Sequence, residues 1–137
     1  MDKKNIIVLE DDGQYNNYYI ELSNKYNFNL EDYYMPNDFF LNMKNNNKKY
    51  TLAIIDPRYF KLEDSAPREN LYKFLDTLQD AKIPIIINTI TSYINSKDFD
   101  KLQGKYSFKT INKEISKSGE INDLEKELIK ELIWRIG

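Results

Sequence analysis

The sequence predicts an α/β fold in which a five-stranded parallel sheet is doubly wound, with helices on both faces. Three observations predict it. Short apolar runs rich in β-branched residues recur along the chain: Ile6-Ile7-Val8-Leu9, Leu52-Ala53-Ile54-Ile55, and residues 83–87, broken only by Pro84. They lack the alternation of a half-wetted strand and fit strands covered on both faces, as in parallel sheets. Between them lie segments with apolar residues three and four apart, so strand and helix alternate. Finally, 137 residues suffice for one domain with a sizeable core and are too few for two. Residues 1–137 read as one unit, with no internal repeat and no Pro/Gly/Ser-rich linker.

The elements follow in order. Ile6 to Leu9 make the first strand, and Tyr15, Tyr18, Tyr19, Leu22 and Tyr26 trace the helix after it. Phe28, Leu30, Tyr33 and Tyr34 suggest the second strand. Asn37 caps a short helix through Phe39, Phe40 and Met43, which the polar run at 45–49 ends. Leu52 to Ile55 form the third strand. Pro67, a favoured first-turn residue, opens a helix carrying Leu71, Phe74, Leu75 and Leu78. After the fourth strand at 83–87, Ser96 caps a helix with Phe99 and Leu102 that Gly104 stops. Tyr106, Ser107 and Phe108 make the fifth strand. The last helix has Ile121, Leu124, Leu128, Leu132 and Ile136 on one stripe. Ile129, Ile133 and Trp134 lie off it and widen it beyond what one sheet face covers, so Leu132, Ile133 and Trp134 are a candidate dimer contact.

Composition removes whole classes of function. With no Cys there is no disulfide framework, thiol nucleophile or Cys-based zinc site, and with no His the usual general base is missing. Lys plus Arg number 20 against 22 Asp plus Glu, a net charge of −2, so no basic excess argues for direct nucleic-acid binding. The first residues are too charged for a signal peptide, and no stretch approaches the roughly 18 apolar residues of a membrane span. The expectation is a soluble cytoplasmic domain with no membrane partner.

In an open parallel sheet, function collects beyond the carboxyl ends of the strands. There the sequence places Glu10, Asp11 and Asp12, then Asp56, then Asn88 and Thr89, and after the fifth strand Lys109. Gathered carboxylates repel one another unless a cation sits among them. Magnesium suits such a set, with Glu10, Asp11 and Asp56 as candidate ligands. A carboxylate beside that ion can attack a phosphoryl group and form an acyl phosphate, with Thr89 and Lys109 as donors to the phosphoryl oxygens. Each residue alone also has a plainer reading. Glu10 to Asp12 would serve as an acidic helix start, and Asp56-Pro57 as a turn.

The order of motifs, Val-Leu-Glu-Asp-Asp, Leu-Ala-Ile-Ile-Asp, Ile-Pro-Ile-Ile-Ile-Asn-Thr and Tyr-Ser-Phe-Lys, resembles the receiver domain of two-component response regulators, a flavodoxin-like fold. The resemblance covers the whole chain, and 45 residues from Asp11 to Asp56, 33 on to Thr89 and 20 on to Lys109 suit that family. It implies phosphorelay signal transduction: Asp56 accepts a phosphoryl group from a histidine kinase or phosphotransfer protein and the chain becomes a phosphoprotein. It further implies Mg2+ held by Glu10, Asp11, Asp56 and the backbone carbonyl of Arg58. Thr89 moves toward the phosphoryl group, Lys109 pairs with it, and Tyr106 changes rotamer as a switch. Partners would be a downstream protein target or a second copy of the chain. Activity would be limited to magnesium-dependent self-phosphorylation and self-dephosphorylation at Asp56, with no external substrate.

The chain departs from that family at several positions. Thr110 rather than Pro follows Lys109, the bulky Ile90 follows Thr89, and Phe60 replaces the Pro usual four residues past the aspartate. Pro57 and Arg58 are also unusual there, and the loop from Thr110 to Gly119 is long. An Arg58 side chain turned inward would pair with the acids and stand in for the metal. Thr110, Ile90 and Arg58 support an alternative, an atypical receiver that binds a partner or dimerises without phosphorylation, whereas the intact acids with Thr89 and Lys109 argue for the phosphorylated switch as the first reading. A haloacid-dehalogenase-type phosphatase is disfavoured because Arg58 stands where a second acid belongs. A flavodoxin is disfavoured because Glu10, Asp11 and Asp12 would repel a phosphate.

Overall fold

In a computed structural model of the chain, residues 4–10, 12–33, 50–59, 67–113 and 121–136 are described. The strands are β1 Asn5–Leu9, β2 Asn29–Tyr33, β3 Leu52–Ile55, β4 Ile85–Ile90 and β5 Lys109–Lys113. The helices are α1 Gly13–Tyr26, α2 Pro67–Asp80, α3 Thr91–Ile94, α4 Lys97–Lys105 and α5 Asp123–Ile136, with a 3-10 turn at Pro57–Tyr59. All strand pairs are parallel, in the order β2-β1-β3-β4-β5. The chain moves outward from β1 to β2 and then crosses back to β3, so the strand order reverses between β1 and β3. A crevice opens at such a reversal, beyond the carboxyl ends of the strands.

Alternate strand residues face opposite sides, and each side has its own core. Ile7, Leu9, Ala53, Ile55, Ile85 and Ile87 pack with Leu71, Phe74, Leu75 and Leu78 of α2 and Phe99 and Leu102 of α4. Ile6, Val8, Leu52, Ile54, Ile86 and Ile111 pack with Tyr15, Tyr19 and Leu22 of α1 and Ile129 and Ile133 of α5. Both faces are therefore covered, which is why the strand runs show no polar alternation. Among the described residues no helix is long and apolar enough to cross a membrane.

Local chemistry sets the helix ends. The Asp12 carboxylate accepts from the Gln14 amide at the start of α1, and Asn27 ends that helix in the left-handed region at φ 57°, a conformation Asn tolerates better than most residues. Ser96 caps α4 by accepting from the Phe99 amide at 3.2 Å. That helix passes through Gly104 to Lys105 instead of stopping there.

Three elements differ from the sequence reading. The fifth strand is Lys109–Lys113, not 106–108, because Tyr106 closes α4 and turns its ring into the core, where the hydroxyl donates to Asp76 at 2.7 Å. The fourth strand runs on to Ile90, and α3 follows it directly. On α5 the buried line is Glu125, Ile129 and Ile133, whereas Leu124 and Leu128 are exposed. Ile133 is therefore a core residue and no part of an external dimer contact. The expected helix at Asn37 to Met43 lies outside the described residues, as do Asp11, Tyr34, Phe60 and positions 114–120.

Candidate functional site

Four strands deliver one residue each to the carboxyl edge of the sheet. Glu10 follows β1, Asp56 follows β3, Thr89 is the fifth residue of β4, and Lys113 ends β5. All four are buried, Asp56 and Thr89 completely. The Lys113 ammonium lies between the two acids, 2.6 Å from Glu10 Oε2 and 2.9 Å from Asp56 Oδ2. It also stands over the Tyr15 ring, 4.5 Å from the centroid, a favourable cation–π placement. Glu10 is held in turn: its Oε1 accepts from the Asp12 amide, and its backbone carbonyl accepts from Asn16.

Asp56 is gripped from three directions. The Thr89 hydroxyl donates to Oδ1 at 3.0 Å and Lys113 donates to Oδ2. Pro57 sets the 3-10 turn that brings Arg58 back over the carboxylate. The Arg58 amide donates to Oδ1 at 3.1 Å, Nε reaches Oδ1 at 3.1 Å and Oδ2 at 3.0 Å, and Nη2 reaches Oδ2 at 2.7 Å. Burial pushes the carboxyl pKa up, but the hydrogen bonds and positive charges of Arg58 and Lys113 outweigh it and hold the group below its ordinary 3.8. Glu10 and Asp56 against Arg58 and Lys113 leave these four side chains without net charge.

Buried polar side chains continue from the site toward α1 and α5. The Tyr15 hydroxyl donates to the buried Glu125 of α5 at 2.6 Å, and Asn88 donates to the Tyr19 hydroxyl at 2.8 Å. Burial and the bond to Glu125 push the Tyr15 hydroxyl well above its ordinary pKa.

The structure thus brings together Glu10, Asp56, Arg58 and Thr89, and it does not bring Lys109 to them. Lys109 is exposed at the amino end of β5, beside Ile86, while Lys113 lies beside Ile90 at the other end, about 13 Å further along a strand. Starting the strand three residues later explains the exchange. Tyr106 likewise caps α4 with its hydroxyl on α2, and Thr110 stands three residues before Lys113. Sequence reasoning missed Lys113; the signal was that it ends a short segment whose Ile111 faces the core.

Among the described residues, which leave out Asp11, the arrangement does not fit a magnesium ion. A carboxylate offers about four lone-pair directions, and Asp56 already receives the Arg58 amide, Nε and Nη2, the Thr89 hydroxyl and Lys113. An octahedral oxygen site needs such lone pairs free. Among the described residues no group of three acidic, His or Cys side chains is placed to hold a metal.

No family model and no curated protein matches the sequence. Solved structures do match. The receiver domain of the TMAO respiratory system response regulator TorR superposes with a TM-score of 0.63 at 15% identity, covering 98% of this chain and 99% of that one. A response regulator receiver protein from Burkholderia phymatum gives 0.66 at 12% identity, covering 98% and 94%. A de novo designed Rossmann 2x3 protein gives 0.58 at 10% identity, covering 98% and 91%. A designed protein among these neighbours marks the likeness as one of architecture, and chemistry has to be argued from the site. The chain has the five-stranded parallel α/β fold of response regulator receiver domains.

Proposed function

We propose that this chain is an atypical receiver, a signalling module that engages a protein partner without a phosphoryl group on Asp56. The observation that carries this reading is the state of the Asp56 carboxylate, fully buried with both oxygens committed to Arg58, Lys113 and Thr89. To accept a phosphoryl group, an Asp56 oxygen must present a free lone pair to phosphorus along an open line of approach. Arg58 takes lone pairs on both oxygens, and the half-buried Ile90 adds bulk next to Thr89. The Thr89 hydroxyl and the Lys113 ammonium both bond the unmodified Asp56 carboxylate. A protein partner is supported by large apolar side chains left exposed on α5, Leu124 at 79% and Trp134 at 71%, where burial against a partner gains the most free energy.

A second reading, a phosphoryl-accepting receiver served by a histidine kinase or phosphotransfer protein, draws support from the convergence of Thr89 and Lys113 on Asp56. In it Lys113 takes the part expected of Lys109, and Arg58 swings out before reaction. Intact mass after incubation with acetyl phosphate and magnesium separates the two, with Asp56→Asn as control. The expected result is an unmodified wild-type mass. A phosphoryl adduct that Asp56→Asn abolishes would overturn the first reading and establish the second.

A further inference from the structure

We infer that Arg58 is the resident cation of this site, carried on the chain where receivers of the ordinary kind take a divalent metal, so that the site has no use for one. The inference rests on the reading of the pocket as closed in its resting state, and it assigns the part that closes it. Two buried acids share one ammonium, with Glu10 and Asp56 both within 2.9 Å of Lys113. One ammonium offsets one of the two negative charges. A second positive charge lowers the cost of burying the pair. Arg58 supplies it as a planar guanidinium with Nε and Nη2 both on Asp56, a directional clamp that a lysine at that position would not reproduce.

The backbone prepares the clamp. Pro57 has φ fixed near −65° and opens the 3-10 turn, and the Arg58 amide bonds the same carboxylate that its side chain grips. Backbone and side chain of one residue thus hold Asp56 together, which reduces the entropy lost in placing a long side chain. Arg58 is also on the water side of the pocket: its side chain is 32% exposed while that of Asp56 is at 0%. Removing the guanidinium would therefore open Asp56 to solvent, free lone pairs on it, and take one positive charge from beside it. A hard divalent ion with oxygen ligands fits that vacancy in charge and chemistry.

Magnesium titration by calorimetry on the wild-type protein, Arg58→Ala and Arg58→Lys tests this directly. Wild type is expected to give no binding heat through the millimolar range. Arg58→Ala, shown to be folded by circular dichroism, is expected to bind at least about tenfold more tightly than wild type, the scale on which residues around a metal site change affinity. Arg58→Lys keeps the charge and is expected to stay closer to wild type. Binding to wild type as tight as to Arg58→Ala would overturn the inference, and so would a folded Arg58→Ala that gains none. Should Arg58→Ala fail to fold, the Arg58 Nε–H resonance of the wild-type protein decides. A signal protected from exchange and unmoved by magnesium supports the resident cation, and its loss or shift on adding magnesium overturns it. The outcomes stay distinct from those of the phosphorylation test. A metal-free adduct on Asp56 would sink the proposed function and spare Arg58's role, whereas magnesium binding to wild type without any adduct would do the reverse.

Discussion

At the amino end of β5, Lys109 projects into solvent beside Ile86, while at the carboxyl end Lys113 is buried with its ammonium on Glu10 and Asp56. The two share residue type, strand and sheet, and differ only in register. The sheet fixes that register through β4, since each residue of β5 is placed by its partner from Ile86 to Ile90. A lysine becomes part of this site by lying level with the ends of β1 and β3, where the acids wait. The general lesson is that the position of a charge along a parallel strand decides its burial more than the character of its neighbours does.

The comparison can be broken most directly by removing each ammonium in turn. Lys113→Met should cost about 3–5 kcal/mol, because it leaves two buried carboxylates without their shared partner. Chemical denaturation measures it, and a loss under about 1 kcal/mol would mean that the ammonium does not hold the acids together. Tyr15→Phe should cost about 2 kcal/mol by taking one donor from the buried Glu125; no change would show that the other contacts of Glu125 suffice. Arg58→Ala should cost about 1 kcal/mol, a smaller figure because its side chain is one-third exposed and solvent screens the pair. Lys109→Met should stay within about 0.5 kcal/mol of wild type, and a larger loss would show that the two ends of β5 are less different than their burial.

A pH series sharpens the same contrast between paired and unpaired charge. Asp56 titrates below its ordinary 3.8 in the folded protein, so its contribution to stability is present above that value and is lost as pH falls through the lowered one. Asp32 on β2 behaves oppositely. Burial raises it to about 6, and its Oδ1 has no partner among the described residues. Protonated more readily when folded, it favours folding below pH 3.8 and loses that contribution as pH rises to about 6. Asp32→Asn should flatten the stability profile between those values and leave the acid limb below them, set by Asp56, in place. An unchanged slope there would remove Asp32 as its cause.

The α/β class and the positions of Glu10, Asp56 and Thr89 were legible because each follows or ends a dense apolar run, and the end of such a run fixes where the edge of the sheet falls. Lys113 was not legible for the converse reason. β5 reads Lys-Thr-Ile-Asn-Lys with one apolar residue, whereas the preceding Tyr-Ser-Phe alternates as a half-buried strand would. Packing against α2 and α4 claimed Tyr106 and moved the strand onward. On α5 two stripes run side by side, and the more apolar one, through Leu124 and Leu128, is the outer one. Glu125 disguised the inner stripe, since a carboxylate reads as solvated unless the Tyr15 hydroxyl, 110 residues away in sequence, is known to meet it. Arg58 was recognisable as a residue able to turn inward. That it grips Asp56 through three nitrogens depends on the turn that Pro57 begins.

The balanced charges of the pocket also bear on how another molecule would find this protein. Glu10, Asp56, Arg58 and Lys113 cancel locally and lie mostly away from water, so these four side chains together project little field beyond a Debye length of about 8 Å at physiological salt. Steering of a partner owes little to these four charges, leaving recognition there to surface shape and apolar contact.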